Sequence, residues 1–229
     1  MRCHLSDHLE FNSFNFDPKL STATFFKLER PGSPSLKICH VDLRGLFEEA
    51  LRFKLEVCRI PSHNSVDYFQ SKLFEYKEKL SNPDNLFIVA YNGHAKVDQY
   101  LRLKISCGSD YQSGRATRTL GEVDWSSIQY MLLSMRSDIL IITHSCEAVG
   151  AAMISDIQNI TGRKELIASY GYPGKSWDDE FNKVLVESLK GLAPLESFTT
   201  ANLYQKMLTI SLDKAEAFKE SRVLARMKR

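Results

Sequence analysis

The sequence predicts an α/β fold, a mostly parallel central sheet with helices on both faces, and three observations lead there. Two short runs, Asp84–His94 (DNLFIVAYNGH) and Ser137–Cys146 (SDILIITHSC), are apolar and rich in β-branched residues without a helical period. Such runs read as strands buried on both sides, the usual strand of a parallel sheet. Around them strand-like and helix-like segments alternate, the order that gives parallel pairing through right-handed crossovers. The third observation is length: 229 residues, without internal repeats, low-complexity tracts or a linker, fit one domain of this class.

Taken in order, Thr22–Leu28 (TATFFKL) is the first expected strand, followed by the turn-forming ERPGSPS. Asp42 is placed to cap a helix with Leu43, Leu46, Phe47, Ala50 and Leu51 on one face. Glu48 and Arg52 pair at i, i+4 on its wet side. Leu55–Ile60 (LEVCRI) alternates as a strand and stops at Pro61. The next helix is expected to bury Val66, Phe69, Leu73, Tyr76 and Leu80 and to end at the SNPD turn. The strand leading to His94 follows. Between Ala95 and Val123 the periodicity fails and Gly, Ser, Arg and Asp accumulate, which reads as a long surface loop with at most a short strand at Leu101–Ile105.

Ser126 and Gln129 have capping-box spacing at the head of a helix burying Ile128, Leu132 and Met135. The strand leading to Cys146 comes next, and Glu165–Ser169 (ELIAS) is a fifth. Ser176–Asp179 is a second capping spacing, opening a helix with Phe181, Val184, Leu185 and Leu189. Thr200 is expected to cap a last core helix carrying Leu203, Met207 and Leu208. These elements delimit a folded domain over 21–212, a disordered start over 1–20, and a charged tail over 213–229 that reads as a solvated helix or frayed end.

Composition narrows the function classes. Hydrophobic content of 43%, charged content of 25% and a net charge of +2 belong to an ordinary globular protein and favour neither nucleic acid nor a membrane surface as partner. No stretch approaches the roughly 18 apolar residues of a membrane span. The start, MRCHLSDHLEFNSFN, has neither the apolar core nor the cleavage site of a secretory signal. Five cysteines at irregular spacing, without a CxxC pair, argue against a disulfide framework and a tetrahedral zinc site. A reducing, cytoplasmic setting is the expectation, with a thiol free to react.

In parallel sheets chemistry gathers beyond the carboxyl ends of the strands. If the two apolar strands are neighbours, His94 and Cys146 arrive at one edge. A free thiol with a pKa of about 8.5 is mostly protonated at neutral pH, so nucleophilic use of Cys146 needs a base such as His94. The plainer readings are a buried, inert Cys146 and a His94 bonded to backbone. Cys39, Cys58 and Cys107 read as packing residues, and Cys3 lies in the start segment. His40 and His63 read as structural or exposed, Trp125 and Trp177 as core or cap packing. His144 shares a strand face with residue 146, which sets a second imidazole beside the thiol.

With these segments placed, several motifs follow a known order. LFIVAYNGHA (Leu86–Ala95) resembles the pattern LIVYYxGHG, and SDILIITHSCEA (Ser137–Ala148) resembles SDVLILLDCCxA. VDWSSIQ (Val123–Gln129) matches a tryptophan-containing helix start, and KELIASYG (Lys164–Gly171) matches a strand like TELIAACG. FNKVLVESLKGLA (Phe181–Ala193) and FTTANLYQKML (Phe198–Leu208) follow as two helices. In this the chain resembles the caspase-like peptidases, specifically the fungal caspase-like domains related to metacaspases, from about Thr22 to Ile210. Cys146 follows His94 by the roughly 50 residues expected of caspases.

The resemblance implies a three-layer caspase-like fold and a cysteine endopeptidase that acts on polypeptides without a cofactor. Cys146 is then the nucleophile, His94 the general base and acid, and the backbone N–H groups of Cys146 and Ala95 the oxyanion hole. Metacaspase relatives are often calcium-stimulated, but no carboxylate cluster here marks a metal site. Three positions depart from the pattern: Ala95 replaces a glycine, His144 replaces an acidic residue that lines the specificity pocket, and Ser145 stands between. Of these, Ala95 and His144 favour an alternative, a catalytically silent pseudoprotease serving as a signalling or interaction module with protein partners. A nucleotide-binding domain is disfavoured, since no strand is followed by a Gly-rich loop.

Overall fold

The computed structural model describes residues 21–28, 45–51, 53–61, 63–92, 94–106, 108–112, 115–145, 161–168 and 180–227. Strands β1 (Ser21–Leu28), β2 (Lys54–Ile60), β3 (Leu86–Asn92), β9 (Asp138–His144) and β10 (Lys164–Ala168) form one sheet in the order β10-β9-β3-β1-β2. Every pairing in it is parallel.

The two central apolar strands are buried on both faces, which is why they show no polar alternation. Leu86, Ile88 and Ala90 of β3 join Leu140 and Ile142 of β9 in one core. Phe87, Val89 and Tyr91 join Ile139 and Ile141 in the other. The first core is closed by a π-helical turn (Leu46–Ala50) and by two helices, which follow β10 in the chain. The second is closed by α1 (Ser65–Leu80) and α2 (Trp125–Leu133). The helices after β10 are α3 (Glu180–Leu192) and α4 (Thr200–Met227). The layers are helix, sheet, helix, as the alternation of elements predicts.

Several expectations need correction. The segment between Ala95 and Val123 is largely antiparallel sheet. Strands β4 (His94–Val97), β5 (Leu103–Ser106) and β8 (Val123–Asp124) pair in the order β4-β5-β8, and β6 (Gly108–Gln112) and β7 (Arg115–Leu120) form a separate two-stranded pair. Leu103, Ile105 and Val123 are buried while Lys104 between them is not. An alternation carried by two inward residues per strand is too short to stand out from loop composition.

The helix expected around Leu46 is a single π turn that buries Leu46, Phe47 and Leu51 and leaves Ala50 exposed. Val66 and Leu208 are exposed and Leu80 is half-buried, whereas Phe69, Leu73, Tyr76, Leu203 and Met207 are buried. In α1 Val66 shares the helix face of Leu73 but sits in the first turn, ahead of the buried stretch that begins at Phe69. In α4 Leu208 stands about 100° around the helix from Met207. Helix α2 is capped by Asp124, whose carboxylate accepts from the Ser126 N–H, rather than by Ser126. Thr199, not Thr200, heads α4: its Oγ1 accepts from Asn202 N–H, and Asn202 Oδ1 accepts from Thr199 N–H. Asp42, Leu43, Arg52, Ser169, Ser176 and Asp179 lie outside the described residues, as do the start over 1–20 and the ERPGSPS segment.

The amino edge of the sheet is pinned at the β9–β10 boundary. Arg163 N–H donates to Asp138 Oδ1 at 2.7 Å, and Lys164 Nζ donates to the carbonyls of Ser137 and Thr161, both at 2.6 Å. Burial pushes the Lys164 ammonium below its ordinary range, against the pull of Asp138. Gly162 before it has φ +70, and a Cβ there would meet the Arg136 carbonyl oxygen at 2.6 Å. Among the described residues no helix is long and apolar enough to cross a membrane.

Candidate active site

Strands β3 and β9 are direct neighbours, and their ladder runs to the last residue of each, Asn92 opposite His144. The two motifs therefore reach the carboxyl edge of the sheet side by side. His94 comes two residues beyond Asn92 and Cys146 two beyond His144. Cys146 and the side chain of His94 lie outside the described residues. His94 does not sit in a loop: its backbone opens β4 and stands opposite Ser106.

Ala95 follows in β4, half-buried and opposite Ile105. Its backbone is extended, not in the left-handed region that favours glycine, so the methyl group is carried without strain there. The small sheet beneath it is anchored to α2. Ile105 and Val123 are buried with Trp125, Ile128 and Leu132 of that helix. Lys104 Nζ reaches Asp124 Oδ2 at 2.6 Å. The Trp125 ring lies 6.2 Å from that of Tyr91, at the end of β3, so it packs in the core as its sequence context suggests.

His144 is half-buried at the end of β9 and is met by the first turn of α3. The Phe181 ring stacks on the imidazole at 5.0 Å and 25°, and Asn182 Nδ2 lies 3.2 Å from Nδ1. Asn182 is itself buried, at 5% exposure. Phe181 is legible in the sequence as part of the α3 core face. Asn182 carries no sequence signal, because an asparagine in a helix ordinarily reads as a solvated position.

Cys58 shows the contrasting environment. It lies on β2, at the opposite side of the sheet from β10, with Sγ 3.9 Å from the Tyr68 hydroxyl. Burial pushes its thiol up, out of reactive range. It lines a cleft of about 360 Å³ with Glu56, Tyr68, Lys72 and Tyr76, in which Tyr76 OH donates to Glu56 Oε2 at 2.9 Å. Cys58 is a packing residue. His63 is exposed. Cys3, Cys39, Cys107, His40 and Trp177 lie outside the described residues. Among those described, no group of three His, Cys, Asp or Glu could hold a metal ion.

No protein-family model and no curated protein matches the sequence. Among solved structures, the chain is similar to the Drosophila initiator caspase Dronc, at 10% identity and a TM-score of 0.46, over 77% of this chain and 66% of that one. It is similar to caspase-1 from Spodoptera frugiperda at 15% identity and a TM-score of 0.43, over 75% of this chain and 69% of the other. The structure of pro-sf-caspase-1 gives 15% and 0.42, over 75% and 72%. The chain thus spans about two thirds of the length of the Drosophila protein.

Proposed function

We propose that this chain is a caspase-like cysteine endopeptidase domain, with Cys146 and His94 as its dyad, working on polypeptides in a reducing, cytoplasmic setting. The observation that carries the reading is the β3–β9 ladder: the strand leading to the imidazole and the strand leading to the thiol are parallel neighbours and end in register. The sequence resemblance supplies the chemistry. His94 takes the proton of Cys146, and the thiolate attacks the carbonyl carbon of the scissile bond. The backbone N–H groups of Cys146 and Ala95 hold the resulting oxyanion. As the C–N bond breaks, His94 gives its proton to the departing amine. Water activated by the same imidazole then hydrolyses the thioester and restores the thiol. The extended backbone at Ala95 carries its methyl group without strain, so the position does not need glycine.

A peptide acyloxymethyl ketone probe tests this. It alkylates Cys146 in the native protein and fails in Cys146→Ala and His94→Ala. Turnover of peptides falls by about 10³-fold or more in either variant and little further in the double variant, because the pair acts as a unit. Labelling that persists in Cys146→Ala ends the proposal. A second reading, the silent caspase-like module, is favoured by the imidazole at position 144 where the family pattern has a carboxylate. It is selected if the folded native protein is labelled by no probe.

A further inference from the structure

We propose that the seam between α2 and the carboxyl halves of β3 and β9 is an internal water-binding site, formed by Trp125 Nε1, Gln129 Oε1 and Thr143 Oγ1. The site belongs to the folded core and stands whether or not the chain is a peptidase.

The topology brings the three residues to one place. Thr143 and Tyr91 are register partners on the parallel strands β9 and β3. Ile139 and Ile141, at even spacing before Thr143, lie in the core that α1 and α2 close. Thr143 therefore projects from the sheet face that α2 covers, beside Tyr91. The Trp125 ring, at the head of α2, lies 6.2 Å from the Tyr91 ring. Gln129 is one turn further along α2, about 6 Å, on the same side of the helix. Trp125 is 2% exposed, Gln129 7% and Thr143 1%. Their side-chain atoms Nε1, Oε1 and Oγ1 nevertheless have no hydrogen-bond partner in the protein.

A native core rarely leaves even one buried polar atom unpaired, and three around one aromatic pair call for a shared partner. The indole N–H only donates, the amide oxygen only accepts, and the hydroxyl does both. A cation is repelled by the indole hydrogen and an anion by the amide oxygen. The adjacent carboxylate, Asp124, is committed to Lys104 Nζ and the Ser126 N–H. Ile128, Leu132, Ile139 and Ile141, which share this core, offer only apolar atoms. The partner must be small and uncharged, and must both donate and accept. Water meets all of these requirements. It accepts from Trp125 and donates to Gln129 and Thr143, and so ties the head of α2 to the strand that leads toward Cys146.

A crystal structure of the native full chain at high resolution tests this directly. It shows density for water within about 2.7–3.2 Å of Trp125 Nε1 and of Gln129 or Thr143. Three side chains still unpaired, or bonded to protein atoms instead, overturn the proposal. Thermal melts give an independent reading through the sign of the shift. Thr143→Val and Gln129→Met keep the shape of the side chain and each lowers Tm by about 2–4 °C, because the variant strips the water of a partner. The double variant loses less than the sum, since either change alone disturbs the same water. A rise in Tm in either single variant would mean that the polar atom was unpaired in the native core, and additive losses would mean that the two residues share nothing; each result overturns the site.

Discussion

Asp124 joins three parts of the structure, and replacing it separates their contributions. Its Oδ1 caps α2 by accepting from Ser126 N–H at 2.9 Å, and its Oδ2 pairs with Lys104 Nζ of β5 at 2.6 Å. The Lys104 side chain is 15% exposed and that of Asp124 28%, so the pair is only partly screened. Asparagine preserves the cap and removes the charge, at a cost of about 0.5–1 kcal/mol, the upper end for an exposed pair. Alanine also removes the cap, worth about 1 kcal/mol more. For a chain of this size each kcal/mol lowers Tm by about 2–4 °C. Asp124→Asn should therefore melt about 1–4 °C below the native protein at neutral pH and Asp124→Ala a further 2–4 °C below that.

The pH dependence follows from the direction of the carboxyl shift. Burial pushes the Asp124 carboxyl up, but hydrogen bonds from Lys104 and Ser126 outweigh it and hold the group below its ordinary value. A depressed carboxyl stabilises the fold above its unfolded pKa, and that stabilisation is lost as the pH falls through the folded value. The Tm gap between the native protein and Asp124→Asn should narrow as the pH is lowered from about 5 toward about 3. Circular dichroism melts across that range provide the test. An Asn variant as costly as Ala at neutral pH, or a gap that does not narrow on acidification, would refute the division into cap and ion pair.

Two further outcomes follow from other sites. Gly162→Ala forces a Cβ to 2.6 Å from the Arg136 carbonyl at φ +70, and should cost more than about 2 kcal/mol in urea denaturation, beyond the left-handed penalty alone; a neutral result would mean that the turn can relax. Cys58, buried and with its thiol pushed up, should resist iodoacetamide at neutral pH under conditions that modify Cys146, as peptide mass mapping reads, and Cys58→Ala should leave probe labelling unchanged.

How far the sequence reached depended on how many residues carried each signal. Strands β3 and β9 were legible because every residue from Leu86 to Tyr91 and from Ile139 to Thr143 is buried, leaving unbroken apolar runs. Helix α1 was legible from Pro61, its apolar stripe and the SNPD turn. The small sheet was not, since strands of two and four residues hold too few inward positions to establish a period. The cap of α2 went to Ser126 because DWSS offers three capping side chains, and only the backbone geometry chooses Asp124. At the candidate site, local pattern gave the strands but not their order. That β3 and β9 are neighbours is a property of the sheet, and the Asn182–His144 contact spans 38 residues, beyond anything a local pattern encodes.

The strand order also says something about how the chain acquires its shape. No ladder in the large sheet is a hairpin: even the nearest pair, β9 with β10, joins residues roughly 25 positions apart, and each of the others spans more. Each such loop must be closed before any pairing rewards it. The β4–β5 ladder, by contrast, closes within a few residues around a turn held by Asp98, whose carboxylate accepts from the N–H groups of Tyr100 and Arg102. The strand bearing His94 thus has a local partner that it can find quickly. The strand leading to Cys146 must wait for distant segments, with Ile139–Ile142 exposed to water and to other chains until they arrive.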